Sequence, residues 1–200
     1  MDGALAYLVA AVVVLIVVVL VIVVRTRRRA AVRPTGVPPA AGPAHDGAHR
    51  LAPGDRVRIG KREYVVSGTI RLVEGDWSWV QHLLDDASGT PHRLSVEGDG
   101  GPELELVLWT AEPGATVTPG APTIDLGGLR YTWAETGQAR YTATGETGLP
   151  QAGTMRYHDY QSGGNARLSF EAYGEEGWRV ARGDLLDPAD LAIRPTDDGR

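Results

Sequence analysis

His92-Arg93-Leu94-Ser95-Val96-Glu97 decides the fold, because its core returns 74 residues later as Arg167-Leu168-Ser169-Phe170-Glu171. At the same offset Asp85, Ser88 and Gly89 match Asp159, Ser162 and Gly163. Apolar and polar side chains alternate at period two, the pattern of a half-buried strand. Leu94, Val96, Leu168 and Phe170 are therefore expected to face the core. Ser95, Glu97, Ser169 and Glu171 are expected on the opposite, exposed face. The echo predicts two related β units packed as one domain. Each would hold a strand ending in an acidic residue, a Ser-Gly turn and a second strand. Glu63-Tyr64-Val65-Val66 and Leu129-Arg130-Tyr131-Thr132-Trp133 would open the two copies, with a changed spacing.

Working outward, short alternating segments separated by glycine-rich or Asp/Ser-rich connections predict strands throughout. They are expected at residues 56–59, 63–66, 69–74, 77–84, 92–97, 103–109, 129–135, 139–144, 154–159, 166–172 and 177–181. In the sixth, Leu104, Leu106 and Leu108 take one face and Glu103 and Glu105 the other. No interval leaves room for long crossover helices. The fold class is all-β: an antiparallel domain over residues 51–195, barrel-like or a sandwich, with a disordered tail at 196–200.

Upstream the composition changes completely. Residues 4 to 24 run for 21 positions without a charge and end at Arg25, Arg27, Arg28 and Arg29, matching the length and stop signal of a membrane-spanning helix. A cleavable signal would carry its positive charge before a shorter apolar run; here Asp2 precedes it. The positive-inside rule keeps the arginines in the cytoplasm and places the carboxy-terminal part there too. The expectation is a single-pass cell-membrane protein with residues 1–29 as its anchor, contacting the bilayer through residues 4–24. Residues 30–50, AAVRPTGVPPAAGPAHDGAHR, read as a Pro/Ala/Gly-rich tether. His45 and His49 lie within it, four apart, with no helix expected to present them together.

Residues 51 to 200 carry 14 Lys plus Arg against 23 Asp plus Glu, a formal charge of −9, whereas the whole chain is at −5. An acidic domain is repelled by phosphate backbones and by an anionic leaflet, which argues against nucleic acid as partner. With no cysteine in the chain, disulfides, thiol nucleophiles and cysteine metal sites are excluded.

The best catalytic constellation is His158-Asp159 with Glu171, Asp85 and Glu97, since a histidine beside carboxylates can shuttle protons. Period two sends His158 and Asp159 to opposite faces of a strand, and no ordered nucleophile-base motif accompanies them. Gly98, Gly100, Gly101, Gly127 and Gly128 precede strands rather than helices, so they do not form a phosphate loop. No catalytic residue, cofactor or metal is expected. Among the aromatics, Trp77 and Trp79 share a strand face, and with a single phenylalanine in the chain most Trp and Tyr must fill the core. Tyr157, His158 and Tyr160, followed by the Gln161–Asn165 turn, together with Glu171 and Trp79, are the candidate binding surface.

One pattern runs through Leu51-Ala52-Pro53-Gly54-Asp55, Tyr64-Val65-Val66-Ser67-Gly68, the strand from Trp77-Ser78-Trp79 to Leu84, and Arg93 to Glu97. It continues from Tyr131 through Tyr157-His158-Asp159-Tyr160 to Leu168-Ser169-Phe170-Glu171 and Trp178. In these residues the chain resembles the bacterial family called domain of unknown function 4178. Gln81-His82 stands where the family pattern has an acidic residue and a tyrosine, and His92 where it often has tryptophan. No activity is implied by the resemblance, although members commonly occur in membrane-associated settings. The reading from sequence is a membrane-tethered interaction or scaffold module capturing a protein of a membrane complex on an open sheet edge. The alternatives are a small-ligand or metal sensor and a hydrolase-like enzyme.

Overall fold

The structure, a computed structural model, describes residues 47–98 and 104–194. The apolar run 4–24, Arg25 to Arg29, the tether up to residue 46 and the tail at 196–200 lie outside the described residues. Among the described residues no helix is long and apolar enough to cross a membrane.

Those residues form eleven strands: β1 (Arg56–Ile59), β2 (Arg62–Glu74), β3 (Trp77–Asp85), β4 (His92–Glu97), β5 (Glu105–Ala111) and β6 (Thr123–Leu126), then β7 (Leu129–Gly145), β8 (Ala152–Gln161), β9 (Ala166–Tyr173), β10 (Arg179–Leu185) and β11 (Leu191–Arg194). All pairings are antiparallel. The order is β11-β1-β2-β3-β4-β5-β10-β9-β8-β7-β6, and a further pairing of β2 with β7 closes β2 to β5 and β7 to β10 into an eight-stranded barrel. Two four-strand meanders thus meet first strand to first strand and last strand to last strand. Across the β5–β10 seam Trp109 lies opposite Gly183, residues 74 apart. A Cβ on Gly183 would come within 2.6 Å of the Trp109 ring, so only glycine lets the indole lie over β10 there.

The two longest strands each carry a bulge, at Val66/Gly68 in β2 and Trp133/Glu135 in β7. One extra residue reverses the facing of everything after it. Before the bulge Tyr64 and Val66, or Tyr131 and Trp133, pack outside the barrel; after it Ile70 and Leu72, or Ala139 and Tyr141, point inside. Each bulged strand reads in the sequence as two shorter ones, because the hydrophobic phase changes there.

Packing occurs on both faces of the sheet. Outside the first meander, Leu84, Leu94, Val96 and Leu106 are covered by Ala48, Leu51, β1 and β11. Outside the second, Tyr160, Leu168 and Phe170 are covered by Ile124 of β6 and by Val117. The strand β6 joins β7 through Gly127-Gly128, both at positive φ, as a two-residue hairpin turn requires. Both β6 and β11 are absent from the sequence expectation; each is four residues long and held by one neighbour.

Three expectations need correction. Ser95, Ser169 and Glu171 are not exposed but buried, Glu171 at 4 %, because the face opposite Leu94 and Leu168 is the inside of a closed barrel rather than a wet surface. The acidic residue does not end the strand in the second copy: Asp159 is followed by Tyr160 and Gln161 within β8. The tether does not run to residue 50, since Ala48 is fully buried and its carbonyl lies 2.9 Å from Nε2 of His82.

Candidate functional site

Inward-pointing residues of the adjacent strands β3, β4 and β5 reach across the barrel to β9 and build a polar network. Nη1 of Arg93 donates to Oε2 of Glu171 at 2.6 Å, and Nε2 of Gln81 donates to Oε1 at 2.8 Å. The Tyr173 hydroxyl sits 3.0 Å from Oε2 of Glu171 and 3.2 Å from Oε1 of Gln81. Burial, then the Glu171 charge, pushes that phenol well above its ordinary range. The Arg93 guanidinium stands 5.6 Å from the centre of the Trp109 ring, whose Nε1 donates to Ser95 Oγ at 2.9 Å. Charged groups inside a protein persist when they are paired and hydrogen-bonded together, and Glu171 meets that condition with three partners.

Toward the opposite end of the barrel the interior is acidic. The Tyr157 hydroxyl donates to Oε2 of Glu74 at 2.6 Å and lies 3.4 Å from Oε1 of Glu135. Burial, then the Glu135 and Glu74 charges, holds it protonated above the usual tyrosine range. Asp159 is pushed up to about 7, first by burial, with Glu171 and Glu135 adding to it and the Ser169 hydroxyl and Arg93 opposing. Its Oδ1 is sealed from solvent without a hydrogen-bond partner. A proton on Asp159 relieves the crowding of like charges there.

At the Arg93 end lies a cavity of about 460 Å³. Trp109, Tyr173 and Trp178 form its aromatic walls, Leu83 contributes apolar surface, and Arg93 and Asp85 bring charge. The space exists because the positions between the aromatics are small, among them Ala111 and Ala181.

The residues singled out from the sequence separate into two environments. Trp79, Tyr157 and Glu171 lie inside the barrel; Trp79 packs edge-on against Tyr157 at 5.8 Å. His158 and Tyr160 lie on the outer face of β8. The Tyr160 ring is 1 % exposed, and its hydroxyl donates to the Ala121 carbonyl and accepts from Gly120 N–H. His158 is half-buried against Trp178 with Nδ1 2.7 Å from Thr136 Oγ1, and burial followed by Arg156 lowers its pKa. The exposed Tyr157–Tyr160 surface expected from sequence therefore does not form; both rings are consumed by packing on opposite sides of the sheet. Asp159 joins Glu171 inside while His158 points away, so the proton-shuttling constellation does not assemble. Among the described residues no cluster of His, Asp and Glu could hold a metal ion.

Sequence reasoning missed Arg93, Gln81, Trp109 and Tyr173. One signal was available: Arg93 and Arg167 each share a strand face with a serine and a glutamate, a combination better suited to an enclosed polar interior than to a solvated edge.

Taken together, the closed ring and its charged interior define an antiparallel β-barrel with a polar core opening into a cavity at one mouth. The family model for Domain of unknown function (DUF4178) matches residues 52–188, and the chain belongs to this family. An uncharacterized protein of Mycobacterium bovis (strain ATCC BAA-935 / AF2122/97) is 36% identical over 155 residues, 74% of this chain and 74% of its own length. Uncharacterized proteins from two strains of Mycobacterium tuberculosis show the same identity and coverage. No solved structure matches the chain.

Proposed function

We propose that this chain is a membrane-anchored β-barrel that binds a small organic ligand at its open mouth. The observation that carries the reading is the cavity of about 460 Å³ walled by Trp109, Tyr173 and Trp178 with Arg93 beside them. Its volume falls within the range typical of small-molecule sites, and its mixture of apolar surface with a few convergent polar groups is the composition such sites use. The interaction-module reading loses the exposed tyrosine surface that motivated it. Among the described residues it retains only β6 and β11 as edges, each four residues long. The four-strand units β2–β5 and β7–β10 are read as copies of one ancestral unit, supported by their mirrored order in the ring and by the Arg-Leu-Ser echo on β4 and β9.

The binding reading is tested by screening a metabolite library for compounds that raise the melting temperature. Wild-type protein should respond, whereas Leu83→Trp and Ala111→Phe, which add bulk at half-buried positions on the cavity wall, should not. Compounds that shift all three proteins equally, or no shift from any compound, would remove the reading.

The anchor is supported by the uncharged run of residues 4–24 and the arginines that follow it. Full-length protein should stay with membranes through alkaline carbonate washing, and protease added to sealed inside-out vesicles should digest the barrel. Release by carbonate, or protection from that protease, would overturn the anchor or its orientation.

A further inference from the structure

The charges on the cavity wall indicate what kind of molecule would fit, an inference that rests on the binding reading above. Besides His92, the charged side chains on the wall are Asp85, Arg93, Glu112 and Arg179. Three of them are already matched within the protein. Arg93 is paired with Glu171 at 2.6 Å, Arg179 with Glu176 at 2.5 Å, and Glu112 with Arg182. His92 is buried, with Asp86 Oδ2 3.5 Å from its Nε2 and Thr110 Oγ1 3.2 Å from its Nδ1. Asp85 differs from all of these: among the described residues its carboxylate makes no hydrogen bond or ion pair.

The register of the strands places that carboxylate at the rim. Leu83, Arg93, Trp109 and Gly183 stand side by side across β3, β4, β5 and β10. Asp85 follows Leu83 by two residues, so it shares the inner face and lies one step nearer the mouth; Leu84, between them, packs on the outside. Asp85 is exposed, whereas Ile70 and Trp109 on the same wall are buried. The cavity thus combines an apolar, aromatic interior with one unmatched negative charge at its entrance.

That arrangement selects the sign of a ligand. A cation that meets Asp85 at an exposed rim keeps part of its hydration, so the pairing is not cancelled by a large desolvation cost. An anion would meet the same carboxylate, and both arginines on the wall are already held by glutamates. The formal charge of −9 over residues 51–200 acts in the same direction, by raising the local concentration of cations.

We infer that the cavity takes an organic cation, an amine with an aromatic or branched apolar body, whose ammonium group pairs with Asp85 while the body lies against Leu83, Trp109 and Tyr173.

The test uses the full-length protein in a non-ionic detergent and three probes with one aromatic body: naphthylmethylammonium, naphthylmethanol and naphthoate. Affinity is read by titration calorimetry. The amine is expected to bind about fivefold more tightly than the alcohol at low salt, as a partly screened ion pair allows, and the margin should shrink as salt is raised. Asp85→Asn should bring the amine down to the level of the alcohol and leave the alcohol unchanged. Asp85→Lys should reverse the order and favour naphthoate. Tighter binding of the alcohol or of naphthoate by wild type, or an advantage of the amine that survives in Asp85→Asn, would overturn the cationic class. Loss of all binding in Leu83→Trp and Ala111→Phe would then still leave the cavity standing as the site. Binding unaffected by those two variants, or no binding by any probe, would overturn both.

Discussion

Replacing Arg93 by methionine alone is expected to destabilise the barrel by about 3–5 kcal/mol, the usual penalty for stranding one member of a buried ion pair. The cause is what remains: Glu171, 4 % exposed, would retain Gln81 and Tyr173 as partners but lose the only cationic group paired with it inside the barrel among the described residues. The double variant Arg93→Met/Glu171→Gln should recover most of the loss, because the amide introduced in place of Glu171 presents no charge and its carbonyl can still accept from Gln81 or Tyr173. Urea denaturation of wild type, both single variants and the double variant gives the coupling directly. A double variant no more stable than Arg93→Met would show that the pair does not carry the interior. The exposed Arg130–Asp125 pair, with side chains 71 % and 65 % exposed, serves as a control: solvent screens it, and its removal should pass almost unnoticed.

The same ion pair shows where the sequence was legible and where it was not. Period two located β1 and β4 to the residue and gave the correct facing for Leu94, Val96, Leu168 and Phe170. It could not say what lay on the other side of those strands. An antiparallel strand with Ser and Glu opposite its apolar residues normally has one wet face, and that inference exposed Glu171. Ring closure overrides it, and closure depends on the β2–β7 and β5–β10 pairings. These join segments far apart in sequence, and neither leaves a local mark. The aromatic candidates failed for a related reason. Tyr157 and Tyr160 lie near a glycine-rich turn, as binding residues often do, but three positions apart on a strand they must point to opposite sides, and both sides are filled. Bulges in β2 and β7 were visible only as interruptions in phase, and β6 and β11 were too short to carry any phase.

Stability should be nearly flat between about pH 4 and 6.5, because two buried groups oppose each other across that window. Asp159 rises from 3.8 to about 7, chiefly through burial, so the native state holds a proton that the unfolded chain releases. Its contribution is complete below the unfolded pKa and is lost as pH rises toward 7. His82 moves the other way, lowered from 6.5 to about 4 by burial; it is fully enclosed, with its ring nitrogens on Thr69 Oγ1 and the Ala48 carbonyl. There the unfolded chain takes up the proton first, so the contribution is present above 6.5 and lost as pH falls toward 4. Each slope is about 1.4 kcal/mol per pH unit, with opposite sign. Asp159→Asn should leave the His82 slope alone, giving a protein that gains about 3 kcal/mol between pH 4 and 6.5. It should exceed wild type by a margin that widens with pH. His82→Gln should show the reverse, losing stability as pH rises. Urea midpoints taken at pH steps across the window measure both, and parallel profiles for wild type and the two variants would contradict the assignment. The groups perturbing Asp159, namely Ser169, Glu171, Glu135 and Arg93, share no member with those perturbing His82, which are Ala48, Arg71, His49 and Asp55. One set belongs to the barrel interior and the other to its outer layer, so the effects should add, and the profile of the double variant should be flat again.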